Sequence, residues 1–193
     1  MANKIKYGLK NVYYAIATIA DDGTATYDTP VRFPGAVSLS LEAQGDTTPF
    51  YADNIKYYQG VANNGYEGDL EMARVIDSFK TDVLGFLTDS NGVILEDADA
   101  EPVHFALLFQ FEGDKKATRH VMYNCTATRP ATGSETKGES VEPQTETVTI
   151  NAGTIYIAAI DKDIPKAETT DTTQTATYTG WFESVYQPTQ LAQ

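Results

Sequence analysis

Short stretches of alternating apolar and polar residues constrain the fold of this chain more than any other feature of its sequence. Residues 36–43 place Val37, Leu39 and Leu41 on one side of an extended chain and polar side chains on the other. Residues 66–72 alternate in the same way, with acidic side chains on the polar side. Because successive side chains of a β-strand point to opposite faces, each segment predicts a strand with one buried and one wet face.

Several further segments have strand character and are separated by turn residues. Short strands between turns favour an antiparallel sandwich or barrel over a parallel α/β sheet. The abundance of tyrosine, phenylalanine and threonine favours strands as well. We therefore predict a mainly β fold, a β-sandwich or partial barrel. The additional strands are expected at residues 11–19, 104–112, 119–127, 146–150, 154–160 and 175–182.

One segment has helical rather than strand spacing. Apolar residues recur at intervals of three and four between Val75 and Leu84, and Gly85 follows them. This spacing indicates an amphipathic helix, and a glycine often ends one, so we expect one flanking α-helix at about 75–84.

Two polar segments predict flexible loops, and the length of the chain suits a single domain. The loops are expected at about 129–143 and 161–173, and the domain at 1–193.

The connection between the first two alternating strands is unusually long. It covers residues 44–65, whereas an ordinary hairpin loop has ~2 to 5 residues, and connections of this length are usually functional or disordered. The aromatic content argues against disorder, because dense aromatic side chains normally bury themselves against something. Its large apolar residues are Phe50, Tyr51, Ile55, Tyr57 and Tyr58.

The charge balance excludes some functions. With 27 acidic and 14 basic residues the formal net charge is -13, which disfavours binding to phosphate backbones. The single cysteine, Cys125, cannot form an intrachain disulfide. No apolar run approaches the ~18 residues of a membrane helix, and the N-terminus does not resemble a signal peptide. We expect a soluble protein made in a cytoplasm, without membrane insertion.

Motifs for catalysis or for metal binding are weak. His104 and His120 lie on separate predicted strands without partners at ligand spacing, so we assign no zinc. The acidic run at 96–101 lacks the pattern of a calcium loop. Residues 133–140 resemble a phosphate loop but have Glu139 in place of the lysine. We therefore predict no catalytic residue, no cofactor, no metal and no enzymatic activity.

The order of several segments resembles the major tail proteins, or tail tube proteins, of long-tailed bacteriophages that infect Gram-positive bacteria. The likeness extends from about residue 5 to residue 188, and no single motif carries it. The matching segments are Gly8-Leu9-Lys10-Asn11-Val12-Tyr13-Tyr14-Ala15, Pro34-Gly35-Ala36-Val37, Leu39-Ser40-Leu41-Glu42, Thr48-Pro49-Phe50-Tyr51-Ala52-Asp53-Asn54, Gly65-Tyr66-Glu67-Gly68-Asp69-Leu70-Glu71, Asp82-Val83-Leu84-Gly85 and the hairpin Phe105-Ala106-Leu107-Leu108-Phe109 to Arg119-His120-Val121-Met122-Tyr123.

The resemblance implies a β-sandwich with one flanking helix that assembles into hexameric rings. The rings stack into a tube around a tape measure protein, and the tube later conducts DNA during ejection without binding it specifically. The implied location is the virion tail, after synthesis in the host cytoplasm. The implied partners are further copies of the chain, the tape measure protein, and tail initiator and terminator proteins.

Two groups of residues would have roles in such a tube. The long loop would contact a neighbouring subunit or ring, unless its side chains fold back on their own domain; its residues are Thr48, Pro49, Phe50, Tyr51, Asp53, Ile55, Tyr57 and Tyr58. The polar face of the two flanking strands would line the lumen, unless it is a generic solvated face; its residues are Ser38, Ser40, Glu42, Glu67, Asp69 and Glu71.

Two other classes of protein remain open on the sequence. A monomeric sandwich that binds a carbohydrate or a surface would present Tyr51, Tyr57, Tyr58 and Trp181 to its ligand. A β-rich hydrolase would need paired carboxylates, one of them with a raised pKa in a cleft.

Overall fold

The structure is a computed structural model that describes residues 3–45, 47–136 and 143–191. Fifteen strands, two short α-helices and a 3₁₀ turn make up the regular structure of this part of the chain. They are β1 (Lys6–Ile19), β2 (Ala25–Tyr27), β3 (Val31–Arg32), β4 (Ala36–Ala43), β5 (Thr47–Ala52), β6 (Ile55–Val61), β7 (Tyr66–Met72), α1 (Asp77–Asp82), β8 (Leu87–Thr88), β9 (Ile94–Leu95), β10 (Phe105–Gly113), β11 (Thr118–Ala127), β12 (Glu146–Gly153), β13 (Ile155–Ile157), β14 (Lys162–Ile164), β15 (Lys166–Glu168), α2 (Thr175–Thr179) and the 3₁₀ turn Gly180–Phe182. The mainly β prediction is confirmed.

One large antiparallel sheet organises the molecule. Its strands follow the order β2-β1-β10-β11-β12-β7-β4, with β3 on β1 and β15 on β11. β11 pairs with β10 along one side and divides its other side between β15 and β12. The sheet curls until apolar side chains of β1 and β4 share one core, but it does not close, so the architecture is a partial barrel.

The central strands bury both of their faces. Along β10, Phe105, Leu107 and Phe109 belong to one hydrophobic cluster, and Ala106 and Leu108 belong to a second on the opposite face. This explains why these strands have continuous apolar runs, whereas β4 and β7 alternate. The first cluster fills the curled sheet, and α1 closes one end of it.

The flanking helix is shorter than predicted. α1 spans Asp77–Asp82, and the residue before it, Ile76, is extended. Val75, Phe79, Val83 and Leu84 are nevertheless buried and Ile76 is half-buried, because the turns on either side of α1 also pack on the core. Phe79 stacks on Phe33 and meets Tyr14 edge-on, and the Tyr14 hydroxyl donates to Asp82 at 2.9 Å. Gly85 follows with φ +72°, as expected of a glycine that ends a helix.

The predicted final strand at 175–182 is wrong. This segment forms α2 and the 3₁₀ turn, which cover the second cluster. The Tyr178 hydroxyl donates to the Ala117 carbonyl at 3.0 Å, and Trp181 Nε1 donates to the His120 carbonyl at 3.3 Å. These contacts outweigh the intrinsic preference of threonine and tyrosine for strands.

Smaller differences concern the loops and strand bounds. The predicted loop at 161–173 contains β14 and β15. β13 ends at Ile157, three residues before the predicted end of that strand at residue 160. Residues 129–136 and 143 of the predicted loop at 129–143 have no regular structure, and residues 137–142 lie outside the described residues. Across the described ranges, no helix is long and apolar enough to cross a membrane.

Candidate functional site

The outer face of β4 and β7 carries the six polar residues expected to act together. The register places Ser38 opposite Glu71, Ser40 opposite Asp69, and Glu42 opposite Glu67. Strand β12 extends this surface, because Thr147, Thr149 and Asn151 pair with Glu71, Asp69 and Glu67. We call these nine residues the polar face. The structure therefore brings all six predicted residues together on one surface.

Hydroxyl groups hold two carboxylates of the polar face. Glu71 accepts hydrogen bonds from Thr145 Oγ1 at 2.7 Å and Ser38 Oγ at 2.8 Å, and Asp69 accepts one from Thr149 Oγ1 at 2.8 Å. The bonds from Thr145 and Ser38, in that order, lower the pKa of the Glu71 carboxyl. Hydrogen bonds to a carboxylate favour its charged form. Sequence reasoning missed Thr145 and Thr149, although Thr147, Thr149 and Asn151 alternate visibly in β12.

The polar face keeps its negative charge unneutralised. Within the described ranges, none of Glu42, Glu67, Asp69 and Glu71 forms an ion pair with a basic side chain. Glu42 and Glu67 lie directly opposite each other, a pairing of like charges that destabilises a sheet. Four carboxylates are thus concentrated on two neighbouring strands despite that cost.

Strands β4 and β7 approach each other closely at Gly68. The predicted orientation of Val37 on β4 is wrong. A Cβ at Gly68 would lie 1.8 Å from the Ser40 carbonyl oxygen, so only glycine fits there. At the start of β4 the register shifts between Ala36 and Ser38, which leaves Val37 as an extra residue in a β-bulge. Val37 is 51% exposed, so the expectation that it faces the core is wrong.

The long connection between β4 and β7 is a β-hairpin rather than an irregular loop. β5 and β6 pair with each other around Asp53 and Asn54, which have φ +51° and +61°. Two consecutive residues with positive φ are typical of a type I′ hairpin turn. At its base, Gln44 N–H donates to the Gly65 carbonyl at 2.9 Å, so the hairpin continues the β4–β7 ladder. We call β5, β6 and their turn the arm.

The arm exposes its large apolar side chains. Phe50 faces Tyr58 across the pair, and the two are 59% and 66% exposed. Tyr51, Ile55 and Tyr57 are 64%, 62% and 72% exposed. The aromatic residues therefore do not fold back on their own chain. A two-stranded hairpin alone is at best marginally stable in water, and apolar patches of this kind mark interaction sites.

A comparison with protein-family models decides the family. The model described as phage tail tube protein matches residues 2–191, nearly the whole chain. The chain belongs to the phage tail tube protein family. The family is structural rather than enzymatic, and it places this tail tube protein in the virion tail. No curated protein matches the chain significantly.

The histidines of this tail tube protein have structural surroundings. His120 stacks on Phe109, and its Nδ1 lies 3.3 Å from Glu168. Burial lowers the pKa of His120 to about 4, although the Glu168 carboxylate acts in the opposite direction. His104 Nδ1 is 2.7 Å from Asn124 Oδ1. In the part of the chain that the structure describes, no three histidine, cysteine or acidic residues are grouped to hold a metal.

Two other side chains that could take part in binding or reaction, Cys125 and Trp181, are buried. Cys125 is fully buried, and burial raises the pKa of its thiol to about 12. Trp181 is 3% exposed and stacks on Tyr186. Because Trp181 is buried, it cannot join the arm tyrosines in the carbohydrate-binding surface considered above.

Proposed function

We propose that this chain self-assembles into hexameric rings that stack into the tail tube and form the conduit for DNA ejection. The polar face of β4, β7 and β12 lines the lumen, and the arm contacts a neighbouring subunit. The observation that carries the proposal is the exposed arm on a chain of the tail tube family. The partners are further copies of the chain, a tape measure protein, and tail initiator and terminator proteins.

The arm supports self-assembly because its exposed apolar side chains would be buried against a neighbouring subunit. Its contact residues are Thr48, Pro49, Phe50, Tyr51, Asp53, Ile55, Tyr57 and Tyr58. Aromatic residues dominate the hot spots of protein interfaces, where a surrounding rim excludes water. A neighbouring subunit that covers Phe50 and Tyr58 supplies such a site and stabilises the hairpin.

The polar face supports a lumen because it is acidic and lacks basic partners. DNA carries negative charge along its whole length, so a wall of carboxylates repels it and does not retain it. Serine and threonine hydroxyls order these carboxylates without neutralising them. The facing residues are Ser38, Ser40, Glu42, Glu67, Asp69 and Glu71.

The edge of the sheet supports lateral assembly. β4 is the last strand of the sheet and pairs only with β7 within the described ranges. An edge strand presents unpaired backbone groups that another chain can pair with. Pairing along β4 in a ring would join the sheets of neighbouring subunits around the lumen and remove the exposed edges.

Electron microscopy of the purified chain at high concentration, together with sedimentation, tests the proposal. Rings or tubes with a central channel are expected, and averaged images of end-on views are expected to show sixfold symmetry. A chain that sediments as a monomer at every concentration, even when tail initiator complexes are added, would contradict self-assembly. Rings of another symmetry would contradict the hexamer alone.

A further inference from the structure

A groove with both polar and apolar walls opens at the end of the partial barrel from which the arm leaves. Its volume is about 330 Å³, at the lower end of typical binding pockets. Apolar side chains from β4, β7, β10 and β11 form part of the walls, and polar side chains, two lysines among them, form the rest. The lining residues used below are Lys6, Leu39, Leu41, Tyr66, Phe111 and Lys166. We call this the open groove.

The two lysines place positive charge over apolar walls. Lys6 Nζ is 5.3 Å from the centre of the Phe111 ring, and Lys166 Nζ is 5.2 Å from that of Tyr66. Glu168 also lines the groove and offsets one of the two positive charges, because its neighbour His120 is neutral at pH 7; one net positive charge remains. The open groove therefore suits an apolar segment that carries negative charge.

The β8–β9 hairpin has this chemistry. Leu87 pairs with Leu95 across the two strands, and Val93 lies two residues before Leu95, on the same side of an extended chain. These side chains are 55%, 47% and 52% exposed. Residues 87–103 include five acidic residues and no lysine or arginine. Arg129, from outside this segment, pairs with Glu96.

The open groove and the β8–β9 hairpin lie at opposite ends of the fold. β1 begins at the groove with Lys6 and reaches α1 at Tyr14, whose hydroxyl donates to Asp82. The β8–β9 segment follows α1 directly and returns to it, because Val103 N–H donates to the Val83 carbonyl at 3.2 Å. One chain therefore cannot place its own hairpin in its own groove.

We propose that the open groove of one copy receives the β8–β9 hairpin of a second copy. Leu87, Val93 and Leu95 pack on the apolar walls, and the hairpin's carboxylates approach Lys6 and Lys166. A contact between two different surfaces of the same chain is head-to-tail and repeats without limit unless it closes on itself. Because the two surfaces lie at opposite ends of the fold, the contact joins successive rings, and in that role it rests on the proposed tube.

Cysteine cross-linking tests this contact. The variant Leu41→Cys/Leu95→Cys has one thiol in the groove and one on the hairpin, whereas the native Cys125 is buried. After oxidation at high protein concentration, a denaturing gel is expected to show a ladder of dimers, trimers and longer products. Each single variant has one new thiol and can give only dimers. A Leu41→Cys/Tyr57→Cys variant that forms the ladder in place of the first pair would assign the groove to the arm and overturn the proposal.

Charge reversal provides a second test. Lys6→Glu/Lys166→Glu is expected to reduce ladder formation at least roughly tenfold, because like charges across an interface repel. Adding Asp99→Lys/Glu101→Lys to the same chain is expected to restore it. Lys162→Glu is the matched control, since Lys162 lies on β14, outside the groove, and its reversal leaves the ladder unchanged.

The outcomes separate this contact from the proposed function. Tubes without a ladder would overturn the groove contact and leave the tube intact. A ladder in material that shows filaments but no rings would support the contact and contradict the hexameric tube. A chain with neither tubes nor ladder would overturn both.

Discussion

The arm gives the sharpest prediction, because its side chains are exposed in the subunit and buried in the proposed tube. The double variant Phe50→Ala/Tyr51→Ala removes two rings that are 59% and 64% exposed. Substitutions at exposed positions usually change the free energy of unfolding by within about 0.5 kcal/mol, and loss of the Phe50–Tyr58 cross-strand pair adds ~0.2–1 kcal/mol. The folded subunit should therefore keep nearly all of its stability.

The effect on assembly should be much larger. Truncating one hot-spot aromatic residue typically costs about 2 kcal/mol or more of binding free energy. Since 1.4 kcal/mol corresponds to a factor of ten, the loss of even one such contact raises the protein concentration needed for tubes by roughly 30-fold. The two losses need not add, so this value is the lower bound that we expect.

Pelleting over a concentration series measures the threshold for tube formation, and thermal unfolding of the unassembled subunit measures stability. Leu191→Ala is the control, because Leu191 is 61% exposed but lies outside the arm. A double variant that pellets at the wild-type threshold would refute the reasoning. A double variant that unfolds several degrees earlier than wild type would show that the arm stabilises the subunit itself.

Three further perturbations test the fold, the histidine and the lumen. Gly68→Ala should lower the urea midpoint strongly, because its Cβ would overlap the Ser40 carbonyl oxygen and separate β4 from β7. His120 has a folded pKa of about 4, below the ordinary value of 6.5, so its contribution to stability is complete above pH 6.5. That contribution is lost as pH falls from 6.5 towards 4, by about 2–3 kcal/mol in urea titrations, and His120→Phe should remove this pH dependence. Glu67→Lys/Asp69→Lys should make assembled tubes retain short DNA in a salt-dependent way, measured by fluorescence anisotropy.

Each of these perturbations has a matched control. Gly133→Ala should leave the urea midpoint unchanged, because no atom lies within 4 Å of the added Cβ. His104→Phe alters an exposed histidine and should keep the pH dependence. Asp28→Lys/Asp163→Lys makes the same charge change away from the polar face, and DNA retention equal to that of the lumen variant would contradict the assigned lumen.

Alternation predicted the parts of the fold in which one face of a strand meets water. The bounds of β4 and β7 agree with the sequence, since their outer carboxylates and inner aliphatic residues differ sharply. Alternation could not predict the bulge at Val37. The extra residue in a bulge changes the side of the sheet to which a side chain points, whereas the pattern of apolar and polar residues in the sequence stays the same. Alternation specifies faces, whereas the contacts of neighbouring strands specify register.

Tertiary contacts determined two further elements. The segment at 175–182 has the composition of a strand. Tyr178 donates a hydrogen bond to the residue before β11, and Trp181 donates one to β11 itself; these two bonds favour a helical turn. The arm was predictable in principle, because Asp53 and Asn54 suit a tight turn between two strands. The length of the connection suggested a loop and hid that signal.

In the proposed tube, continuity between the arm and the polar face would link growth of the tube to the order of its wall. The backbone hydrogen bonds of β4 and β7 continue through Gln44 and Gly65 into the arm. A neighbour that grips the arm therefore restrains the two strands that present Glu42, Glu67 and Asp69. Each added subunit would stiffen the channel surface of the subunit already in place, and the conduit would become rigid only where it is already built.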